Sequence, residues 1–293
     1  RFGESVNLMA KKKRRPAKSL VDLDIVIPVY GRPDLLEVCL ASIEDTKGDI
    51  KTSLIIVDDC GPDQDELTKI YRSLNGKSRV IKHAQNVGFP KTVNDGLNSG
   101  NAPLVLILNT DIELLPGALR AMLDEFNNPK VGVVGPKLLF PPNSDDPHRP
   151  ANCIQHAGLA VDFEARITHV NIGWPAGEPK VNERREVQAV TGAAMMVRRA
   201  ALSDVMKIYR QGGDNTSGPF NEIYSPGTYE DVEVCFAARS EGYKIIYTPK
   251  AVACHHVGAS VEALSGGYPI NRNEMIFKAR CGHMLAWDEW RYL

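Results

Sequence analysis

Leu104-Val105-Leu106-Ile107-Leu108-Asn109-Thr110-Asp111 sets five consecutive apolar residues directly before an acidic step. A run this short, apolar throughout and bounded by polar residues, reads as a strand buried on both faces. The carboxylate of Asp111 then stands where the strand emerges into a loop. In an α/β protein that is where ligands sit, and a phosphorylated ligand there brings a divalent metal with it. Asp58-Asp59 ends an earlier run of the same kind, Leu54-Ile55-Ile56-Val57, and Glu230-Asp231 opens a later helical pattern. Three carboxylate clusters at element ends point to a metal and nucleotide site with its own base.

Working outward, Asp24 to Tyr30 forms a β-rich run stopped by Gly31-Arg32-Pro33, and Asp34 is placed to cap a helix carrying Leu35, Leu36, Val38, Cys39, Leu40 and Ile43. After the Leu54 to Val57 strand come a Gly61-Pro62-Asp63 turn, a helix over Glu66 to Leu74, a strand over Arg79 to Lys82 and a helix over Pro90 to Asn98. Beyond Asp111 the pattern predicts a helix from Pro116 to Phe126 and a buried strand at Val131 to Val134. This alternation implies right-handed crossovers and a mostly parallel sheet. Further on, Ile154 to Val161 and Val187 to Val197 read as strands, and Arg198 to Ile208 and Asn273 to Trp290 as helices. Phe140 to Asn152 and Gln211 to Thr228 read as long surface loops. The expected organisation is a disordered basic tail over 1–20, a nucleotide-binding half over 21–135, and an acceptor-side half over 136–293 of the same domain.

With 293 residues and 43% hydrophobic composition the chain can bury a substantial core. A formal net charge of -1 argues against a broad nucleic-acid-binding surface, so phosphate recognition is expected to be local. The six cysteines form no C-x-x-C pair, which fits reduced thiols and a cytoplasmic setting. No apolar stretch approaches the ~20 residues of a membrane-spanning helix. Lys11-Lys12-Lys13-Arg14-Arg15 reads as a solvated tail or as a contact for a membrane surface or other anionic partner. Residues 1–8 precede Met9, which could be a native start, and are set aside from the fold.

Taken in order, these motifs resemble those of the inverting glycosyltransferases of family 2 with the GT-A fold, especially the rhamnosyl- and galactofuranosyl-transferase branch. The resemblance rests on Ile27-Pro28-Val29-Tyr30, Val57-Asp58-Asp59, Asn86-Val87-Gly88-Phe89 with Asn94-Asp95-Gly96, and Leu108-Asn109-Thr110-Asp111. It continues through Gln155-His156-Ala157-Gly158, Thr191-Gly192-Ala193-Ala194, Tyr229-Glu230-Asp231-Val232-Glu233, His256-Val257-Gly258-Ala259-Ser260 and Arg272-Asn273. It covers Asp24 to Lys278.

The resemblance implies a Rossmann-like central sheet with a C-terminal acceptor-side extension, a nucleotide-diphosphate sugar donor, a divalent cation (Mn²⁺ or Mg²⁺), a hydroxyl acceptor such as a glycan, and inversion at the anomeric carbon. It makes residues 21–135 the nucleotide-sugar-binding half and residues 136–293 the acceptor and catalytic half. It assigns the donor to Pro28, Val29, Tyr30, Asp58, Asp59, Asn86, Gly88, Lys91, Asn109 and Thr110, the metal to Asp111 and His256, and the base to Asp231, with Glu230 positioning the acceptor. Of the adjacent Asp58 and Asp59, Asp59 is the favoured nucleotide contact. Asn109 departs from the usual pattern, because many GT-A enzymes have a carboxylate there. Its amide oxygen still accepts but adds no charge.

Bland readings stand beside each of these. Gly88 and Gly96 suit turns and close packing, an isolated Lys91 is usually solvated, and an acid at a helix start is often only a dipole partner. Of His255 and His256 only one should face the site, since neighbouring side chains on a strand point opposite ways. His256 is preferred for its spacing to Gly258 and Ser260. Thr191 to Ala194 suits either tight packing or a pocket floor, and Trp174 is the tryptophan best placed to stack on a sugar. Nucleotidyl transfer to a sugar phosphate and non-catalytic nucleotide-sugar binding are the competing functions.

Overall fold

The computed structural model describes residues 22–74, 76, 78–256 and 267–292; the basic run at Lys11 to Arg15 and the stretch Val257 to Ser260 lie outside the described residues. The chain begins β1 (Leu23–Val29), α1 (Pro33–Lys47), β2 (Thr52–Asp58), α2 (Gln64–Ser73), β3 (Ser78–Lys82), α3 (Phe89–Ser99) and β4 (Leu104–Leu108). These four strands lie parallel in the order β3-β2-β1-β4, as strands joined by helical crossovers must. Asp34 does not cap α1. The N-cap is Arg32 in a left-handed conformation, and its guanidinium donates to Asp34 from Nε at 2.9 Å.

Next come β5 (Ile112–Leu114), α4 (Ala118–Glu125), β6 (Val131–Leu139), β7 (Ile154–His156), β8 (Leu159–Val161), β9 (Ile167–His169), β10 (Arg185–Glu186) and β11 (Ala194–Arg198). The chain continues through α5 (Arg199–Gly212), α6 (Glu230–Ser240), β12 (Lys244–His255) and α7 (Ile270–Cys281). β11 pairs antiparallel with both β4 and β6, and β12 runs parallel to β6, giving β10-β12-β6-β11-β4-β1-β2-β3. One sheet therefore spans both expected halves, and residue 135 falls inside β6.

Two expected strands are shorter than their apolar runs. Ile154 to Val161 breaks at Gly158, whose φ of 101° turns the chain between β7 and β8. The run from Val187 becomes regular strand only at Ala194.

Alternation along the central strands divides the core in two. Val26, Ile55, Val57, Val105 and Ile107 face one layer, and Ile25, Ile27, Ile56, Leu106 and Leu108 the other. On the first side the buried Glu233 of α6 accepts from Arg280 of α7 at 2.7 Å, and the same guanidinium reaches Asp214 at 2.6 Å. This network fixes α6, and with it the carboxylates at its start.

Candidate active site

The carboxyl ends of β1, β2 and β4 open into a cleft of about 270 Å³ that also receives the start of α6 and the end of β12. Pro28, Val29, Tyr30, Asp59, Asn86, Gly88, Asn109, Thr110, Asp111, Glu230 and Asp231 all line it. The long-range convergence expected of Asp111 and Asp231 is therefore present.

Sheet pairing explains the first corner. Asn109 donates its N–H to Ala193 O at 2.8 Å, continuing the β4–β11 register beyond Leu108. β5 pairs with β12 so that Ile112 opposes His255, and His256 N–H donates to Asp111 O at 2.9 Å. This register turns His255, not His256, toward the cleft: His255 Nε2 lies 3.4 Å from Asp111 Oδ1, whereas His256 Nε2 lies 3.6 Å from Glu113. Sequence spacing could not choose between them, because facing is fixed by the partner strand. Among the described residues, Asp111 Oδ1 and Asn109 Oδ1 are buried and find no hydrogen-bond partner. Partnerless acceptors beside an imidazole nitrogen suit a cation. Among the described residues, no group of three His, Cys, Asp or Glu side chains forms a closed metal cage.

On the β2 side, Asp59 accepts from the N–H of Val87 at 2.9 Å, the N–H of Gly88 at 3.0 Å and Nδ1 of His83 at 2.8 Å. It thereby shapes the loop that enters α3. Gly88 adopts a φ of 89°, a conformation that favours glycine, and a Cβ there would also press on Ser225 Oγ and lie 3.1 Å from Pro226 Cα. Asp58 does not line the cleft. Its Oδ1 accepts from Cys60 N–H at 3.2 Å and Gln64 Nε2 at 3.0 Å, which makes it a turn residue. Lys91 is also absent from the cleft lining and pairs with Asp95 one helical turn along α3.

The second carboxylate corner is built on strain. Thr228 and Tyr229 both have positive φ, 80° and 74°, immediately before Glu230. Such residues cost on the order of 1–3 kcal/mol each and persist only where the surroundings hold them. Here the fully buried Asn273 of α7 directs its amide at Tyr224 O, Gly227 O and Thr228 O, at 2.8, 2.8 and 3.2 Å. Asp231 Oδ2 then accepts from Gly192 N–H at 2.6 Å, and Oδ1 from Val232 N–H at 2.8 Å. Burial raises the Asp231 pKa, while these N–H donors oppose the rise. Glu230 lies well above the usual carboxylate range, first through burial and then through the charge of Asp231, and its buried Oε2 finds no hydrogen-bond partner among the described residues.

Behind the first corner, Thr191 N–H approaches His156 Nε2 at 3.5 Å, and His156 Nδ1 lies 3.2 Å from His169 Nδ1. The Thr191 donor assigns the proton of a neutral His156 to Nδ1, from which it is donated to His169. Burial, then the neighbouring imidazoles, pushes His156 well below the usual histidine range. Burial followed by the charge of His255 lowers His169 to about 4.

Several lining residues carried little sequence signal: Thr92, Pro226, Gly227, Thr228 and Tyr268. Burial, then the charges of Glu230 and Asp111, pushes the Tyr268 hydroxyl up to about 12. Thr191, Gly192 and Ala193 join the lining, so the small residues do form part of its wall. Trp174 packs half-buried against the core and does not line this cleft.

The architecture matches solved glycosyltransferases. Over 90% of this chain and 48% of the other, it superposes on GalNAc-T7 solved with UDP, GalNAc and Mn²⁺, with a TM-score of 0.65 at 13% identity. Over 81% and 57% it superposes on the mannosyltransferase PcManGT of Pyrobaculum calidifontis solved with GDP-Man and Mn²⁺, with a TM-score of 0.52 at 15% identity. These likenesses establish the GT-A fold, with its mostly parallel sheet.

In sequence, the chain is 23% identical to the O-antigen biosynthesis protein RfbC of Myxococcus xanthus over 90% of its own length, but 20% of the relative's. It is 24% identical to the pre-mycofactocin glycosyltransferase of Mycobacterium tuberculosis over 80% of its length and 42% of the relative's. It thus spans less than half of either relative. The pattern described as "Glycosyl transferase family 2" matches residues 24–206, from β1 through β4 and β11 into α5. With fold, strand-end carboxylates and sequence pattern in agreement, this chain belongs to glycosyl transferase family 2.

Proposed function

We propose that the protein is a metal-dependent inverting glycosyltransferase that moves a sugar from a nucleotide-diphosphate donor to a hydroxyl acceptor, with a glycan the favoured acceptor class. One observation carries this reading: Asp111 Oδ1, without a hydrogen-bond partner among the described residues, and the Asp231 carboxylate, with its raised pKa, share one cleft. Residues 21–135 would chiefly hold the nucleotide and residues 136–293 the acceptor.

Glycosyl transfer places negative charge on the departing diphosphate and takes a proton from the attacking hydroxyl. Asp111 and His255, with the Asn109 amide oxygen, would hold a divalent cation. Mn²⁺ in the two solved relatives makes Mn²⁺ the first ion to test and Mg²⁺ the second. When bound, such a cation stabilises the charge growing on the leaving group. His255 replaces His256 in this assignment because its ring lines the cleft.

Asp59 would read the nucleoside, helped by the loop it organises at Asn86 to Gly88, with Pro28, Val29, Tyr30 and Thr110 along the donor wall. Asp58 and Lys91 have no direct part in this reading, since each is held elsewhere. Asp231 would take the acceptor proton: a base whose pKa is raised toward the working pH removes a proton more readily than an ordinary carboxylate. Glu230, whose protonated form is favoured by burial and then by the charge beside it, would donate a hydrogen bond that orients the acceptor.

Screening nucleotide-diphosphate sugars by thermal shift with Mn²⁺ and Mg²⁺ identifies the donor, and acceptor-dependent release of nucleotide tests transfer. Asp231→Asn should lower turnover by about 10²–10⁴-fold while donor binding persists. Unchanged turnover removes Asp231 from the mechanism. Donor binding without any nucleotide release, whatever the acceptor, favours a binding module instead.

A further inference from the structure

β7 lies beside β6, with His156 opposite Leu138 and Ile154 opposite Leu139, and it sends consecutive side chains in two directions. His156 enters the imidazole pair under Thr191. Gln155, only 8% exposed, instead reaches His255, its Oε1 standing 3.3 Å from His255 Nδ1. A buried amide must find partners or lose stability, and this oxygen takes the one ring hydrogen that His255 in its neutral form can offer. That donation leaves the Nε2 lone pair facing Asp111 Oδ1 across 3.4 Å. Two acceptors facing each other repel unless a cation lies between them, and among the described residues Asp111 Oδ1 has no hydrogen-bond partner.

We propose that Gln155 is a positioning residue for this corner: its side-chain oxygen fixes the tautomer and angle of His255, and so sets the affinity for a divalent cation and the preference for Mn²⁺ over Mg²⁺. The inference rests on the cation site proposed above and adds the residue that makes it competent. Without the Gln155 oxygen the ring is free to turn or to move its proton to Nε2, and either change removes the nitrogen ligand. Partners of this kind typically contribute 10–100-fold to metal affinity. The ion that accepts nitrogen more readily should lose more, because Mg²⁺ relies on oxygen ligands and retained water.

The test is a Mn²⁺ titration followed by electron paramagnetic resonance, with and without UDP as probe, repeated as competition by Mg²⁺. Gln155→Leu should weaken Mn²⁺ binding at least tenfold and bring the Mn²⁺-to-Mg²⁺ affinity ratio close to that of His255→Ala. Gln155→Glu, whose carboxylate can accept from the same Nδ1–H, should bind Mn²⁺ at least as well as the parent. If the leucine variant does not fold, Gln155→Asn carries the same prediction, since the shortened amide no longer reaches the ring. Mn²⁺ binding within twofold of the parent in Gln155→Leu, while Asp111→Ala and His255→Ala lose it, overturns the role of Gln155 alone. Unchanged binding in all three variants overturns the cation site as well.

Discussion

Gly192 donates its backbone N–H to Asp231 Oδ2 at 2.6 Å, and a methyl group on Gly192 would sit 3.1 Å from the Asp231 Cβ. The segment before β11 thus both orients the carboxylate and leaves it just enough room. Gly192→Ala should displace Asp231 by a few tenths of an ångström without touching the nucleotide wall. The expected outcome is a fall in kcat of about tenfold, equivalent to ~1.4 kcal/mol of barrier, with nucleotide affinity unchanged. Steady-state kinetics beside a nucleotide titration checks it; an equal loss in both would mean that the cleft as a whole has shifted.

Glu230 is held above the usual carboxylate range by burial and by Asp231. A raised folded pKa favours folding below the unfolded value near 4.5, and that contribution is lost as pH rises through the folded value. Glu230→Gln keeps the hydrogen-bond donor and removes the cost of ionisation, so at neutral pH it should melt higher than the parent. Each kcal/mol recovered corresponds to about 2–4 °C, and the gap should close as pH falls below about 4.5. A thermal melt series across pH that shows no such convergence would count against a shifted Glu230.

His169 works with the opposite sign. Its folded pKa is depressed to about 4 from 6.5, so the stability tied to its neutral ring is complete above pH 6.5 and drains away as pH falls toward 4. The loss should reach on the order of 3 kcal/mol. Denaturant titrations at stepped pH should give a shallower acid slope in His169→Leu than in the parent, even though the variant begins less stable because His156 loses its acceptor.

Arg280 neutralises Glu233, which is 2% exposed and also accepts from the Tyr224 hydroxyl. Arg280→Met leaves that charge buried and should cost about 3–5 kcal/mol. In a Glu233→Gln background the same change should cost much less. A double-mutant cycle by urea denaturation measures the difference, and additive losses would show that the pair is not coupled.

How much of this could be read beforehand depended on whether a feature was local or shared between strands. The β1 to β4 alternation was visible because apolar runs and turn residues are properties of contiguous sequence, and the Asp59 and Asp111 positions followed from strand ends. Asp58 sits one residue before Asp59, but turn geometry alone assigns it to Gln64. The choice between His255 and His256 belongs to the β5–β12 register, which no spacing within one strand encodes. The strained Thr228–Tyr229 step and its Asn273 support were hidden for the same reason: the amide lies 45 residues away in sequence.

Asn94 grips the backbone of Phe220 from both sides, its Nδ2 reaching Phe220 O at 2.7 Å and its Oδ1 accepting Phe220 N–H at 3.0 Å. Together with Asn273, with Arg272, which donates to Ile223 O at 2.9 Å and Ser225 O at 3.2 Å, and with Arg280 on Asp214, it fastens the 213–228 excursion to α3 and α7. Anyone grafting this excursion from a homologue would have to carry these fasteners along, or the transplanted segment would arrive without its mounting.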